Sequence, residues 1–320
     1  MQNKCLGVFL VVLAFPLVIL SIFFISTNSL FKSSFYKNIF RSTDSYNKTS
    51  QIVSQSINKT NTQSGDFTIA IFQNADGAWY KTNVENNLDE FFLYVNNKKP
   101  QANFNIDLKP LGLKTILSKN SDLPKDAVNL IPDQLTFASY IQFMTDLKRI
   151  YSQNTDPSIA SETVKKDLEN IDTQIDQGKN LENKTNQNLS NIKNGFHYAR
   201  IGIYIVYGLT ILILVLIGVA ARHYAPAIFR WVGEALVIPS AFIALISYFA
   251  AHLFTTTLNP ISTAKFTIEL KQLLSPIYIS VVSVLSNDIM RISFIVGFVG
   301  LIFIIFSYIL PKFIAKDIAA

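Results

Sequence analysis

Histidine, cysteine and carboxylate side chains build most metal sites and many catalytic sites, and in this chain they are few or scattered. The three histidines, His197, His223 and His252, are far apart in the sequence, so no two of them share a helix face at metal-ligand spacing. Cys5 is the only cysteine, which excludes an intramolecular disulfide and a zinc site built on cysteines. The sequence therefore predicts no metal site.

The common catalytic motifs are missing as well. The chain has no His-Glu-x-x-His, no Gly-x-Ser-x-Gly and no Gly-x-x-x-x-Gly-Lys, the motifs of zinc hydrolysis, serine hydrolysis and phosphate binding. Its acidic residues are spread through polar helical segments, where a solvated helix face explains them. We expect a protein that is not an enzyme and that binds no cofactor.

The basic residues point to lipid rather than to nucleic acid. The net charge is +6, but no dense run of Lys and Arg with interleaved aromatic residues is present, so we expect no nucleic-acid partner. Basic residues next to apolar segments are interpreted as neighbours of lipid headgroups. One short segment between two apolar runs combines charge with an aromatic ring and is a candidate partner-contact loop: Arg222, Arg230, Trp231 and Glu234.

Four apolar runs organise the rest of the chain, in which 49% of residues are hydrophobic and 16% are charged. The runs comprise residues 5–25, 201–221, 236–254 and 292–310. A helix of about 20 residues crosses a hydrocarbon core roughly 30 Å thick, since each residue adds about 1.5 Å. The sequence therefore predicts an integral membrane protein, mainly α-helical, with one N-terminal and three C-terminal transmembrane helices.

The first apolar run has the form of an uncleaved signal anchor. It is longer than the apolar core of a secretory signal peptide, and it ends in Phe23-Phe24-Ile25 rather than in the small residues of a cleavage site. Pro16 lies within it and is tolerable, because neighbouring helices can satisfy the carbonyl group that proline leaves free. We therefore expect residues 1–25 to remain as the first transmembrane helix.

Residues 26–198 are polar and are predicted to form one extracytoplasmic domain, mostly helical and with little β-structure. Apolar residues between Val84 and Val95 recur at helical spacing, and Asn96-Asn97 marks the end of that helix. The strict alternation of apolar and polar residues in Asn103–Leu108 is typical of a strand.

A long helical pattern leads from Asp156-Pro157, a capping signal, to the second apolar run. Apolar residues first repeat at four-three-four spacing: Val164, Leu168, Ile171 and Ile175. The same register then meets three residues that are not apolar: Gly178, Glu182 and Thr185. It resumes at Leu189, Ile192 and Phe196. Either the helix turns back near Gly178, or one continuous helix runs through residues 177–185.

The C-terminal membrane domain, residues 199–320, includes a second outer loop at 255–291. An amphipathic stretch in this loop is expected to break at Pro276. The apolar segment Ile277–Leu285 is too short to span a bilayer, so we expect it to lie along the interface or to pack on the outer domain. Small residues in two spans would let helix backbones approach closely: Gly202, Gly208, Gly297 and Gly300.

The distribution of Lys and Arg predicts the orientation. With four spans, both termini lie on one side, together with the loop between the second and third spans. The short segments on that side carry Lys4, Arg222, Arg230, Lys312 and Lys316. The longer second outer loop carries Lys265, Lys271 and Arg291. Because short cytoplasmic loops are enriched in Lys and Arg, we predict a multi-pass plasma-membrane protein with both termini in the cytoplasm.

Three short segments resemble a group of bacterial four-helix membrane proteins of uncharacterised activity: Phe35-Tyr36, Leu130-Ile-Pro-Asp133 and Arg230-Trp-Val-Gly-Glu-Ala-Leu236. In that group one N-terminal span precedes a large, mostly helical outer domain and three C-terminal spans. The resemblance implies the same arrangement here and implies no activity.

The predicted topology is also similar to that of the permease subunits of cell-division and macrolide-export ABC systems, which transmit ATPase motion to an outer domain. Their loop between spans two and three engages the ATPase through an Arg-rich, Glu-containing motif, for which this chain offers Arg222, Arg230 and Glu234.

Our leading hypothesis is a non-enzymatic membrane protein whose outer domain binds or senses an unknown envelope protein or associates with itself. The alternatives are an ABC-type permease that works with a separate nucleotide-binding subunit, and a transporter.

Overall fold

The computed structural model describes residues 2–59, 71, 74–120, 125–153, 162–221 and 225–318. Over these residues the chain is almost entirely helical. It divides into two compact units, and each is described by itself. The terminal unit comprises Met1–Ile39 and Tyr198–Ala320, and the central unit comprises Phe40–His197.

The helices, in chain order, are α1 (Gln2–Ser26), α2 (Ser33–Ser42), α3 (Ser45–Lys59), α4 (Gly77–Val95), α5 (Leu113–Asn120), α6 (Lys125–Asn129), α7 (Phe137–Gln153), α8 (Glu162–Ala220), α9 (Ala225–His252), α10 (Pro260–Thr263) and α11 (Ile268–Ile318). Two short strands, β1 (Ile106–Asp107) and β2 (Gln134–Leu135), pair antiparallel. There are 3₁₀ turns at Thr27–Phe31 and Lys109–Leu111 and a π-helical turn at Leu253–Thr257. The prediction of a mainly helical chain with little β-structure is confirmed.

Four helical segments are long and apolar enough to cross a membrane: Leu6–Phe31, Lys166–Ala220, Ala225–Ser262 and Ile268–Pro311. They contain the four apolar runs of the sequence. With 59 and 51 residues, α8 and α11 are roughly 90 Å and 75 Å long, since each residue adds about 1.5 Å. Both helices are therefore much longer than the roughly 30 Å needed to cross a hydrocarbon core.

In the terminal unit, α1 buries a stripe of residues at every fourth position: Leu10, Ala14, Val18 and Ile22. This spacing places all four on one helix face, which packs on α8 and α9. A polar contact lies beside the apolar one, with Ser21 Oγ 2.9 Å from Thr210 Oγ1. Pro16 lies inside the helix, as expected.

The closest approach between α9 and α11 occurs at two glycines, Gly233 and Gly300. A Cβ added to Gly300 would lie 2.9 Å from the Gly233 carbonyl oxygen and 2.8 Å from Val237 Cγ2. Contacts this short are not available to a side chain, so the absence of a Cβ is what lets the two backbones meet. The prediction that Gly300 permits close helix packing agrees with this geometry.

The other three predicted packing glycines make looser contacts or none. A Cβ on Gly297 would lie 3.5 Å from Ser240 Cβ, which is ordinary van der Waals contact. A Cβ on Gly202 or Gly208 would meet nothing within 4 Å in the described part of the chain. Within the terminal unit, α8 instead packs on α1 through the face that carries Thr210, so close packing at Gly202 and Gly208 is not observed.

The prediction that the helical stretch breaks at Pro276 is wrong. α11 runs through this proline, and the apolar segment Ile277–Leu285 is part of the long helix rather than a separate interfacial piece. Proline removes one backbone donor, but α11 continues through this position and packs along α9 over part of its length. One such contact is the hydrogen bond that Ser286 Oγ donates to the Ser247 carbonyl oxygen at 2.7 Å.

The central unit has an apolar core of its own, built by the packed faces of α4, α7 and α8 with α5 and α6. Its buried members include Trp79, Tyr80, Leu117, Ala127, Phe143, Met144, Leu147, Ile171 and Ile175. Asp76 caps α4, with its Oδ1 accepting from Trp79 N at 2.7 Å. The same helix ends at Val95, as the sequence predicts, with Asn96 as its C-cap.

A buried carboxylate ties α4 to the preceding helices of the central unit. Glu85 accepts hydrogen bonds from Arg41 Nε at 2.7 Å and from Tyr46 Oη at 3.2 Å. Burial, followed by the negative charge of Glu85, raises the pKa of the Tyr46 phenol, and the Arg41 charge opposes this effect only in part. Paired in this way, the charge of Glu85 is compatible with its burial.

α8 is continuous through residues 177–185, which decides between the two alternatives left by its sequence. Gly178 is buried because α7 occupies the place of its side chain. A Cβ there would lie 3.3 Å from Tyr140 Cε1 and 3.4 Å from Ile141 Cγ1. The packed face of α8 therefore continues through Gly178, because the small residue on α8 makes room for the larger side chains of α7.

Further along α8, one residue of the predicted apolar register does not lie on the packed face. Ile192 is 41% exposed, and the neighbouring Lys193 instead places its Nζ 4.5 Å from the centre of the Tyr94 ring. Phe196 follows the prediction and packs edge-on against Phe91, with ring centres 6.3 Å apart. The capping signal at Asp156-Pro157 lies outside the described residues.

Candidate functional site

The histidines are dispersed over the described structure. His197 lies within α8 and His252 ends α9, while His223 lies outside the described residues. No group of three or more His, Cys, Asp or Glu side chains that could hold a metal ion occurs among the residues that the structure describes.

The candidate partner-contact segment is largely helical rather than a loop. Arg222 lies outside the described residues, but α9 begins at Ala225 and carries the other three candidates in its first turns. Arg230 Nε donates to Glu234 Oε1 at 2.9 Å, one helical turn away. An exposed ion pair of this kind contributes little stability, so both side chains can exchange one partner for another at little cost.

Trp231 has a structural contact within the terminal unit. Its indole covers Gly7 of α1 so closely that a Cβ on Gly7 would lie 1.5 Å from Trp231 Cζ3. The ring belongs to the apolar cluster around Leu10 and Ala14. Of the candidate contact residues that are described, Arg230 and Glu234 are therefore the more accessible.

A cleft of about 410 Å³ opens in the central unit between the two-stranded ribbon, α7 and α8. Its lining combines aromatic and aliphatic side chains with hydroxyl and amide groups: Asn87, Phe104, Asn105, Ile106, Leu135, Thr136, Phe137, Tyr140, Gln174, Gln177, Gly178 and Leu181. All of these residues are described and none of them is charged. A concave, mainly apolar surface with a few polar groups is the usual form of a ligand site.

One wall of this cleft is held in place by amide side chains of α4. Asn87 forms a two-way pair with the backbone of Asn105, donating to its carbonyl oxygen at 2.6 Å and accepting from its N–H at 3.0 Å. Asn83, one helical turn earlier, accepts from Asp107 N at 2.6 Å. Trp79 Nε1 donates to the carbonyl oxygen of Asp107 at 2.6 Å. Side chains spaced along one helix face thus replace a neighbouring strand on this side of β1.

Part of the outward-facing backbone at β2 is bonded by a side chain as well. Ser139 Oγ donates to the Gln134 carbonyl oxygen at 2.9 Å and accepts from Thr136 N at 2.8 Å. This arrangement begins α7 with a local cap. With β1 held by α4, the described ribbon offers no row of free backbone groups to which a further strand could be added.

The opposite wall consists of α7 and α8, which meet at Gly178. Tyr140 Oη donates a long hydrogen bond to Gln174 Oε1 at 3.4 Å, and burial raises the pKa of the Tyr140 phenol. The side chain of Gln177 makes no hydrogen bond with any residue that the structure describes. Leu181, one turn further along α8, is 57% exposed at the rim.

Two exposed ion pairs of the central unit do not belong to the lining of the cleft. Lys148 Nζ lies 2.6 Å from Asp172 Oδ1, and Lys114 Nζ lies 3.2 Å from Asp133 Oδ1. Because no charged side chain lines the cleft, it offers no counter-charge to an ionised ligand group. The interior is therefore suited to an uncharged ligand, because an unpaired ionised group loses hydration there without gaining a partner.

A second, more apolar cleft of about 450 Å³ adjoins the first and shares Asn87, Phe104 and Ile106 with it. Tyr80 is one of its lining residues, and the Tyr80 hydroxyl is buried without a hydrogen-bond partner among the described residues. Burial raises the pKa of this phenol. The two clefts make the segment around Phe104 accessible from two sides.

Few features of the sequence indicate this site. Asn83 and Asn87 interrupt an amphipathic helix at a spacing of four, but Asn is common in this chain and the spacing alone does not distinguish them. No family model, no curated protein and no solved structure matches the chain. The description of the site therefore depends on the geometry of this chain alone.

Proposed function

We propose that the chain is a non-enzymatic integral membrane protein of the bacterial plasma membrane whose central unit binds a protein partner at the cell envelope. The observation that carries the proposal is the uncharged cleft of about 410 Å³ between the β1–β2 ribbon, α7 and α8. α4 side chains hold one of its walls by hydrogen bonds, and α7 packs on α8 at Gly178 in the other. A preformed surface of this type favours recognition, because little ordering is needed on binding.

The terminal unit supplies the membrane anchor in this proposal. Its outward-facing side chains are apolar and large, including Ile205, Ile211, Val215, Phe298 and Ile305. A surface made of so many large apolar side chains is unfavourable in water and favourable in lipid. The four long apolar helices thus act as four spans, one before the central segment and three after it.

The orientation follows from the distribution of Lys and Arg. Both termini and the segment around Arg230 lie in the cytoplasm, and residues 26–198 lie outside, together with residues 255–291. An uncharged cleft on the outer side faces the components of the cell envelope, which include a second copy of this chain.

The ABC-type permease is the second candidate, and the exposed Arg230–Glu234 pair is the observation that favours it. It requires a nucleotide-binding subunit that co-purifies with the intact protein and is lost when Arg222 and Arg230 are both changed to Ala. Such a result would replace the proposal above. The transporter alternative stays a prediction from the sequence.

Site-specific photo-crosslinking in native membranes tests the proposed function. A photoreactive phenylalanine analogue replaces Leu181 at the rim of the cleft, and a matched control places it at Ile192, which is also exposed on α8 but does not line the cleft. We expect a discrete cross-linked product from position 181 only. The proposal fails if position 181 gives no product, or if both positions give the same products.

A further inference from the structure

In the central unit, side chains of one helix bind an extended backbone segment through hydrogen bonds. On α4, two amide side chains one turn apart hold the extended segment that includes residues 105 and 107. An amide side chain both donates and accepts, as a peptide group does, so it can pair with a backbone N–H and C=O at once. Asn87 makes such a two-way pair with Asn105.

α8 presents a similar pair of amides on the other side of the same cleft. Gln174 and Gln177 are three residues apart, so they lie on one face of the helix, and both line the cleft. Both residues are exposed; the Gln177 side chain has no hydrogen-bond partner among the described residues, and the Gln174 side chain has only the long bond from Tyr140. This second amide pair therefore retains the donors and acceptors that Asn87 uses on β1.

The space between the two amide pairs is apolar. Phe104, Leu135 and Phe137 line it together with the Tyr140 ring, and no charged residue joins them. An apolar side chain gains free energy by burial there, whereas a Lys, Arg, Asp or Glu side chain would lose hydration without a counter-charge. Strand addition to the ribbon is disfavoured, because α4 and Ser139 already occupy outward-facing backbone groups of both strands.

We propose that the cleft binds an extended, uncharged peptide segment of the partner protein, whose backbone is held by Gln174 and Gln177. An apolar side chain of the segment fills the space between Phe104 and Phe137. The inference rests on the proposed function and specifies the chemistry of its partner: a short stretch of apolar residues without ionised side chains.

The test uses the full-length protein in nanodiscs of uncharged lipid and four small probes that carry the same 4-fluorophenyl ring. The first is N-acetyl-4-fluorophenylalanine N-methylamide, which is neutral and has two peptide groups. The second is the anion N-acetyl-4-fluorophenylalanine, the third is the cation 4-fluorophenylalanine N-methylamide, and the fourth is the neutral sugar 4-fluorophenyl β-glucoside. Binding is measured for each probe by ¹⁹F nuclear magnetic resonance.

We expect the neutral peptide probe to bind at least about tenfold more tightly than the other three, the factor that about 1.4 kcal/mol represents. Gln177→Ala and Gln174→Ala should each weaken its binding by roughly tenfold, as expected for loss of hydrogen bonds that nothing replaces. Gln187→Ala is the matched control, because Gln187 is an exposed glutamine of α8 that does not line the cleft. Circular dichroism verifies that all three variants are folded.

Several outcomes would overturn the inference. These are failure of the neutral peptide probe to bind at its solubility limit, equal or tighter binding of a charged probe or of the glucoside, and unchanged binding in both cleft variants. Such results leave the photo-crosslinking at Leu181 as an independent test. A cross-link there without the expected probe selectivity retains the binding function and refutes the peptide chemistry, whereas loss of both refutes the two together.

Discussion

At the scale of single residues, two buried tyrosines of the central unit differ in their hydrogen bonding. Tyr46 donates to the charged acceptor Glu85 at 3.2 Å, whereas the hydroxyl of Tyr80 is buried without a partner among the described residues. Tyr46→Phe should destabilise the region by about 1.5 kcal/mol, whereas Tyr80→Phe should change stability by less than about 0.5 kcal/mol or increase it. Hydrogen exchange of α4 amides in the full-length protein measures both, and equal effects would contradict this assignment.

The raised pKa of Tyr46 also predicts that the stability of the folded protein depends on pH. Burial, followed by the charge of Glu85, raises the pKa of its phenol in the folded protein, whereas the unfolded chain keeps the ordinary value near 10. The unfolded state therefore loses its proton first, so the contribution to stability is complete below about pH 10 and is lost as the pH rises through the folded pKa. Thermal unfolding between about pH 9 and pH 11 should show a steeper loss for the wild type than for Tyr46→Phe. Parallel losses would be evidence against a raised pKa.

Single residues of the cleft were beyond prediction from the sequence because their partners are distant along the chain. Asn87 pairs with a residue 18 positions later and Asn83 with one 24 positions later, and no local pattern encodes such contacts. The candidate contact residues Arg230 and Glu234 are predicted from their charge and from the resemblance to the ABC-permease loop, and their mutual pairing follows from a spacing of four on a helix.

At the scale of elements, the amide pairs of α4 determine the conformation of β1. Asn87→Ala removes both hydrogen bonds to the backbone of Asn105 and leaves that backbone unsatisfied, which should cost about 2 kcal/mol locally. We expect amide exchange at residues 105–107 to accelerate by roughly thirtyfold, the factor that corresponds to this free energy. Asn86→Ala is the matched control, since Asn86 is exposed on the same helix. Similar acceleration in both variants would show that α4 does not hold β1 through its amides.

The pairing of α9 with α11 gives a second prediction at this scale. An added Cβ at Gly300 would come within 3 Å of Gly233 and Val237, so Gly300→Ala should separate the helices and destabilise the terminal unit by about 1–3 kcal/mol. Gly208→Ala adds the same group where nothing lies within 4 Å in the described structure, and it should be neutral or slightly stabilising. Thermal unfolding in nanodiscs distinguishes them, and a larger effect at Gly208 would refute the observed packing.

Helices were the most predictable elements, and the errors have specific causes. The period of apolar residues correctly predicted α4, including its end near Asn96. At Pro276 the local rule that proline ends a helix does not hold, and α11 continues through it as a helix that packs along α9. At Gly178 the apolar register of α8 is interrupted in the sequence, but this residue is a contact. Tyr140 of α7 fills the space that a larger side chain on α8 would occupy. The outcome at Gly178 depended on a partner helix, which a single segment of sequence does not reveal.

At the scale of the whole molecule, composition was sufficient to predict four long apolar helices. The runs are long, uncharged and separated by polar segments, so the signal does not depend on tertiary contacts. Orientation is a different question, because it depends on the insertion of the chain and on the sidedness of Lys and Arg rather than on packing. An independent measurement of sidedness therefore tests the proposed topology directly.

Cysteine labelling on intact cells provides that measurement, since Cys5 is the only native cysteine. Two separate variants are made in a Cys5→Ser background, Gln187→Cys and Leu258→Cys. Each places a single thiol in one of the two segments that we assign to the outer side. Both should react with a membrane-impermeant maleimide in intact cells, whereas Cys5 of the wild type should react only after permeabilisation. Labelling after denaturation controls for thiols that are inaccessible on either side.

If Cys5 reacts in intact cells and the other two thiols do not, the orientation is reversed and the cleft faces the cytoplasm. If the thiols at 187 and 258 differ from each other, the chain does not cross the membrane four times.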